Sequence, residues 1–171
     1  MRTGSSTAKI ICLLLAALCA VLVLSSCGET DAPKTDDIKG ETEEFKNLSV
    51  FVPEGMTLVA ANAVNDSSGG DIKTMVMSAD ENEDHYFFMM LTNKENAENS
   101  IAGSRTANDG VKDITVKAGG REWKGIAYKY EDLDCFQLYG MFGETAFLIS
   151  GVYYSYDNPL TEKVLSSITV K

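Results

Sequence analysis

Phe136-Gln137-Leu138-Tyr139-Gly140-Met141-Phe142, Gly143-Glu144 and Thr145-Ala146-Phe147-Leu148-Ile149-Ser150-Gly151-Val152-Tyr153-Tyr154 together decide the fold. The stretch reads as two strands joined at Gly143-Glu144, because each half is rich in aromatic and aliphatic residues and the joint carries a glycine. Successive side chains of a strand point to opposite faces. Phe136, Leu138 and Phe142 therefore stand on one face and Tyr139 and Met141 on the other; in the second strand Ala146, Leu148 and Val152 oppose Phe147, Ile149 and Tyr153. A sheet that is apolar on both sides needs cover on both sides.

Working outward, Asn158-Pro159 opens a final helix, with asparagine as the cap and proline at the first helical position. Leu160, Val164, Leu165 and Ile168 fall on one stripe of it. Upstream, Ile114–Lys117 and Glu122–Tyr130 flank Gly119-Gly120, a hairpin whose turn tolerates positive φ. Ile72–Met77 and His85–Leu91 flank the acidic turn Asp80–Asp84 and predict another antiparallel pair, its second strand apolar enough to be central. Leu48–Val52 and Met56–Ala61 read as two short strands around the turn Pro53-Glu54-Gly55. A helix capped by Thr92 or Asn93 runs to about Ala102, with a thin apolar face. The fold class that follows is α+β, an antiparallel sheet with helices packed on it.

The first 26 residues read as an address. Arg2 and Lys9 supply positive charge, and Ile10–Leu24 is an uncharged apolar run short for a membrane span but suited to a signal peptide. Leu24-Ser25-Ser26-Cys27 then resembles the lipobox of bacterial lipoproteins: an aliphatic residue, two small residues, then cysteine. That resemblance implies a diacylglycerol on the Cys27 sulfur, cleavage just before it directed by Leu24, Ser25 and Ser26, and an acylated, palmitate-type anchor in the cell membrane with the domain on its extracytoplasmic face. Acyl chains gain about 0.8 kcal/mol per buried CH₂, so more than one chain holds a protein stably on a bilayer. Residues 27–44 hold Ile38 as their one large apolar residue and read as a flexible acidic tether; residues 45–171 make a single domain.

Of four cysteines, Cys12 and Cys19 leave with the signal and Cys27 takes lipid, which leaves Cys135 in a strand-like run as a small buried hydrophobe. The net charge of −10 argues against nucleic acid as a partner. Asp80–Asp84 begins like a calcium loop but offers His85 where a glycine must turn and Leu91 where a bidentate carboxylate belongs. One histidine and one free cysteine do not make a zinc or iron site, and no Gly-x-Ser-x-Gly elbow surrounds Ser150. No cofactor, metal or catalytic residue is expected.

The order Leu48-Ser49-Val50-Phe51-Val52-Pro53-Glu54-Gly55-Met56, the hairpin at Trp123-Lys124-Gly125 and the closing Val164-Leu165-Ser166-Ser167-Ile168 resemble PsbP-like and Mog-like (DcrB-type) domains over most of residues 45–170. Many members of that group carry tryptophan at the position of Met56. The resemblance implies an α/β/α sandwich used as a non-enzymatic interaction or assembly module of the cell envelope, and it carries over no functional residue. An envelope protein is the partner expected. The residues leave two other readings open: a small-ligand-binding accessory protein for uptake or sensing, and an envelope hydrolase. For binding, Trp123, Tyr128, Tyr130, Tyr153 and Tyr154 are the candidate surface, aromatics gathered at one end of the sheet.

Overall fold

The computed structural model describes residues 35–60 and 72–171. Seven strands form one antiparallel sheet: β3 (Met56–Ala60), β4 (Thr74–Ala79), β5 (Asn82–Thr92), β9 (Thr145–Val152), β8 (Leu133–Phe142), β7 (Arg121–Tyr130) and β6 (Lys112–Ala118), in that spatial order. A second sheet of three strands places β2 (Leu48–Pro53) between β1 (Gly40–Glu44) and β10 (Thr169–Val170). Helix α1 (Lys94–Ala107) and helix α2 (Pro159–Ser167) complete the domain, preceded by a 3-10 turn at Thr35–Asp37. The expected α+β architecture is present.

Strand alternation divides the core in two. Phe87, Met89, Phe136, Leu138, Phe147, Ile149 and Trp123 meet Leu48, Val50 and Val52 of β2 and Val164, Leu165 and Ile168 of the α2 segment. On the opposite face Ala97 and Ile101 of α1 pack on Ile126, Ala146 and Leu148. Helices thus lie on both sides of the large sheet, as the doubly apolar strands require. Asn158 caps α2 by accepting a hydrogen bond from the Leu160 amide at 2.9 Å, and Asn93 caps α1 by accepting from the Asn96 amide at 2.8 Å.

Several boundaries differ from the sequence reading. The tether was expected to reach residue 44, but Gly40–Glu44 pair with Ser49–Pro53 of β2, so the domain begins earlier. A strand of exposed Gly-Glu-Thr-Glu-Glu has no apolar periodicity, and its ladder bonds are invisible to residue type. Helix α1 continues beyond Ala102 to Ala107 because Gly103 is exposed and breaks no packing. The last strand of the second hairpin stops at Val152, not Tyr154. The C-terminal residues return to β2 as β10, where Ser49 Oγ and Thr169 Oγ1 share a hydrogen bond.

Gly119 and Gly120 both have positive φ, 59° and 70°, as the hairpin turn between β6 and β7 requires. The turn between β7 and β8 has the same two-residue form without glycine: Glu131 and Asp132 sit at φ 48° and 68°. Side chains in that region cost on the order of 1–2 kcal/mol per residue. Replacing Glu131-Asp132 by Asn-Gly is expected to stabilise the domain by about 1–2 kcal/mol, read as a higher urea midpoint at unchanged slope.

Candidate functional site: the tyrosine end of the sheet

Strand β9 leaves the sheet at Val152, and the next residue, Tyr153, takes φ 67°. An aromatic residue in the left-handed region is uncommon and costs free energy, so surrounding contacts must hold it there. They do. The Tyr153 ring stacks on His85 with centroids 4.1 Å apart and planes at 27°. The following Tyr154 stacks on Phe87 at 4.4 Å and 13° and meets His85 edge-on at 6.1 Å. His85 and Phe87 are two residues apart on β5 and share its face. The strained residue therefore places two consecutive tyrosines over one strand end.

Tyr128 and Tyr130 occupy the other side. Tyr128 pairs in register with Cys135, packs into the cluster beneath α1, and is followed two residues later by Tyr130, which is 55 % exposed. Trp123 belongs to neither group. It lies fully buried near the opposite end of β7, five residues from Tyr128, between Phe142 (6.0 Å) and Phe147 (6.2 Å), and its Nε1 donates to the Ala118 carbonyl at 3.3 Å. The aromatic surface expected from Trp123, Tyr128, Tyr130, Tyr153 and Tyr154 is thus corrected: the first is core, and the tyrosines divide between two faces. Alternation along β7 and the direction of the chain after β9 decide this, and neither follows from residue type.

Three titratable groups here, Cys135, Tyr128 and Tyr154, are tuned against ionisation. Burial pushes Cys135 up from its ordinary value, and burial does the same to Tyr128, with Cys135 and Tyr86 adding to it, and to Tyr154. A nucleophilic thiol needs the opposite shift. Cys135 is buried, in keeping with its reading as a small core residue. His85 stands on β5, an interior strand, half-buried beneath Tyr153.

These shifts carry a pH dependence. Folding holds the Cys135 and tyrosine protons more tightly than the unfolded chain does, so their contribution is complete below the ordinary thiol range and is lost as pH rises through it. The melting temperature is expected to fall from about pH 8.5 upward, and in Cys135→Ala the decline should start nearer pH 10, where only the tyrosines remain. Thermal melts across that range decide it.

Two features went unnoticed in the sequence. Gln137, on the α1 face of β8, donates through Nε2 to Ser100 Oγ at 3.2 Å and to Ser150 Oγ at 3.0 Å, while its buried Oε1 has no protein partner among the described residues. Helix α1 packs chiefly on β7, β8 and β9 and its cluster reaches Met90 of β5, while the described helices place none of their main contacts on the β3–β4 side of the same face. Val59, Val76 and Phe88 face one another in register across that side. Val59 is 56 % exposed and the other two are half-buried.

The grooves are open and shallow. One of about 540 Å³ includes Tyr154 from the candidate surface, beside Leu160, Met56 and Ala79. Another, about 390 Å³, runs between α1 and β6–β7, where the Tyr139 hydroxyl donates to Glu98 at 2.9 Å and Arg105 pairs with Asp113. Among the described residues no cluster of three or more His, Cys, Asp or Glu side chains could hold a metal ion. Asp80 and Glu81 form the turn between β4 and β5, and Asp80 accepts from the Thr57 hydroxyl at 2.5 Å. Leu24, Ser25, Ser26, Cys27 and the glycine pair Gly69-Gly70 lie outside the described residues.

No protein-family model matches the chain. No curated protein matches it either. Among solved structures it is similar to a Bacteroides thetaiotaomicron protein known from a crystal structure, at 14 % identity and a TM-score of 0.44 over 72 % of this chain. The match spans 45 % of that protein's length, less than half of it. It is also similar to cyanobacterial PsbP (CyanoP) from Synechocystis sp. PCC 6803, at 12 % identity and a TM-score of 0.49, over 86 % of this chain and 99 % of that one.

Proposed function

We propose that this chain is a lipid-anchored extracytoplasmic lipoprotein whose domain is a non-enzymatic interaction or assembly module of the cell envelope. The anchor is supported by the consistent order of a charged start, an apolar run and Leu24-Ser25-Ser26-Cys27. The module reading is carried by one observation, the side of the sheet face away from α1, with Val59, Val76 and Phe88 in a row. An apolar row with Val59 56 % exposed and Val76 and Phe88 half-buried, on an acidic domain, supports reading this face as a contact surface. The second reading, a small-ligand receptor, draws less support, because the groove at Tyr154 is open and takes in none of the other aromatics first considered.

The anchor is tested in the full chain by mass spectrometry and fractionation. The mature amino terminus should be Cys27 carrying acyl groups, and Cys27→Ala should move the protein out of the membrane fraction. An intact Met1 terminus, or a Cys27→Ala variant that fractionates like the parent, would overturn it.

A further inference from the structure

Helix α1 has a narrow apolar face: it buries only Ala97 and Ile101, which pack on Ile126, Ala146 and Leu148. The same side of the sheet runs on toward the tyrosine end. There Tyr86 of β5 faces Val152 of β9, Val152 faces Cys135 of β8, and Cys135 faces Tyr128 of β7. Side chains two positions along a strand return to the same face, which adds Phe88 and Tyr130. Tyr86, Phe88 and Val152 are half-buried and Tyr130 is 55 % exposed. Strands β5, β9, β8 and β7 are each paired on both sides, so this surface offers no free backbone ladder. Whatever lies on it must satisfy its own peptide groups, as a helix does.

Charge says which kind of helix. Asp80 and Glu81 in the β4–β5 turn, Asp84 two residues before Tyr86, and Glu131-Asp132 in the β7–β8 turn stand at this end of the sheet, all exposed. Among the described residues none of them forms an ion pair, whereas the bases on the α1 side are already matched: Lys124 with Glu122 at 2.9 Å, Lys94 with Glu98 at 3.4 Å, and Arg105 with Asp113. We propose that this face docks a basic amphipathic helix of a partner protein, beside α1, with its apolar stripe on Tyr86, Phe88, Val152 and Tyr130 and its cations toward Asp84 and Glu131-Asp132. The spacing suits it. Neighbouring helices pack about 8–10 Å apart, and the step from β8, under α1, to β5 is two strand spacings of about 4.8 Å. The net charge of −10 repels the competing occupants, a second copy and anionic lipid headgroups. This partner chemistry rests on the reading of the same side of the sheet as a contact surface, and not on the anchor at Cys27.

The probe is a labelled peptide of leucine and lysine at helical spacing, about 18 residues or five turns long, titrated into the full chain. It should bind and gain helicity on binding, and a counterpart with glutamate for lysine should bind at least about tenfold more weakly. Asp84→Lys with Glu131→Lys should weaken binding about tenfold, and Glu41→Lys with Glu43→Lys, an equal change of net charge on β1, less than about twofold, because charges more than a Debye length away are screened. Tyr130→Ser, at an exposed position where the fold is not at risk, should weaken it several-fold. Equal binding of the two peptides, equal loss from the two charge-reversed pairs, no loss in Tyr130→Ser, or binding without gain of helix would each overturn the proposal. A benzophenone amino acid at position 88 of the full chain, irradiated in cells that produce it, separates this proposal from the reading beneath it. Capture of a segment with lysines or arginines on one helical side and apolar residues on the other is expected. Capture of a protein segment without that pattern, or of this chain itself, overturns the basic helix and leaves the contact surface; capture of no protein overturns both.

Discussion

A Trp123→Ala variant is expected to lose about 3–5 kcal/mol of folding stability, the range for emptying an aromatic site in a packed core. Trp123 is fully buried; it meets Phe142 and Phe147 edge-on and lies directly over its register partner Gly140, where an added Cβ would come within 2.9 Å of the indole ring. Truncation removes the ring and its hydrogen bond to Ala118 together, and the strands around it, tied into the ladder on both sides, cannot collapse into the void. For a domain of this size the loss corresponds to a fall of roughly 10–20 °C in melting temperature. Trp123→Phe should recover part of it. A change within about 0.5 kcal/mol, the usual effect at an exposed position, would instead return Trp123 to the list of binding residues.

Gly125→Ala should be comparably damaging for a different reason. An added Cβ would lie 1.9 Å from the Gln137 carbonyl oxygen, 2.9 Å from its carbon and 3.0 Å from the Leu138 Cα. Those are backbone atoms of the neighbouring strand, paired with Gly125 in register, so the clash is relieved only by prising β7 from β8. Overpacking of this kind costs about 3 kcal/mol or more where no side chain can move aside. Gly143→Ala gives the contrast. Its φ of 64° strains an alanine by on the order of 1 kcal/mol, but no atom lies within 4 Å of the added carbon. Urea denaturation of the two variants side by side should separate a steric from a conformational penalty, and equal losses would refute the distinction.

The candidate site was the least legible part of the chain. Tyr153 and Tyr154 were visible as aromatics, yet their partners His85 and Phe87 lie far away in sequence and are brought near only by the pairing of β5 with β9. Gln137 reads as one polar residue in an apolar run. Its role appears only when Ser100 and Ser150 arrive from other elements. The row Val59, Val76 and Phe88 looks like ordinary strand material until the position of α1 shows that, among the described residues, the helix sits over the other side of the face.

What the sequence determined by itself is local. The β6–β7 and β8–β9 hairpins, the cap at Asn158 with Pro159, and the need for cover on both faces of β8 and β9 each depend on residues a few positions apart, whose backbone preferences act before any tertiary contact forms. Tertiary structure decided everything that depends on distant partners. Strands β2 and β3, separated by one tight turn, go to different sheets. The polar segment Gly40–Glu44 becomes a strand because β2 offers it a ladder, and Trp123 parts company with the tyrosines. Such choices are made by long-range pairing and burial, in which the identity of a residue matters less than what is brought against it.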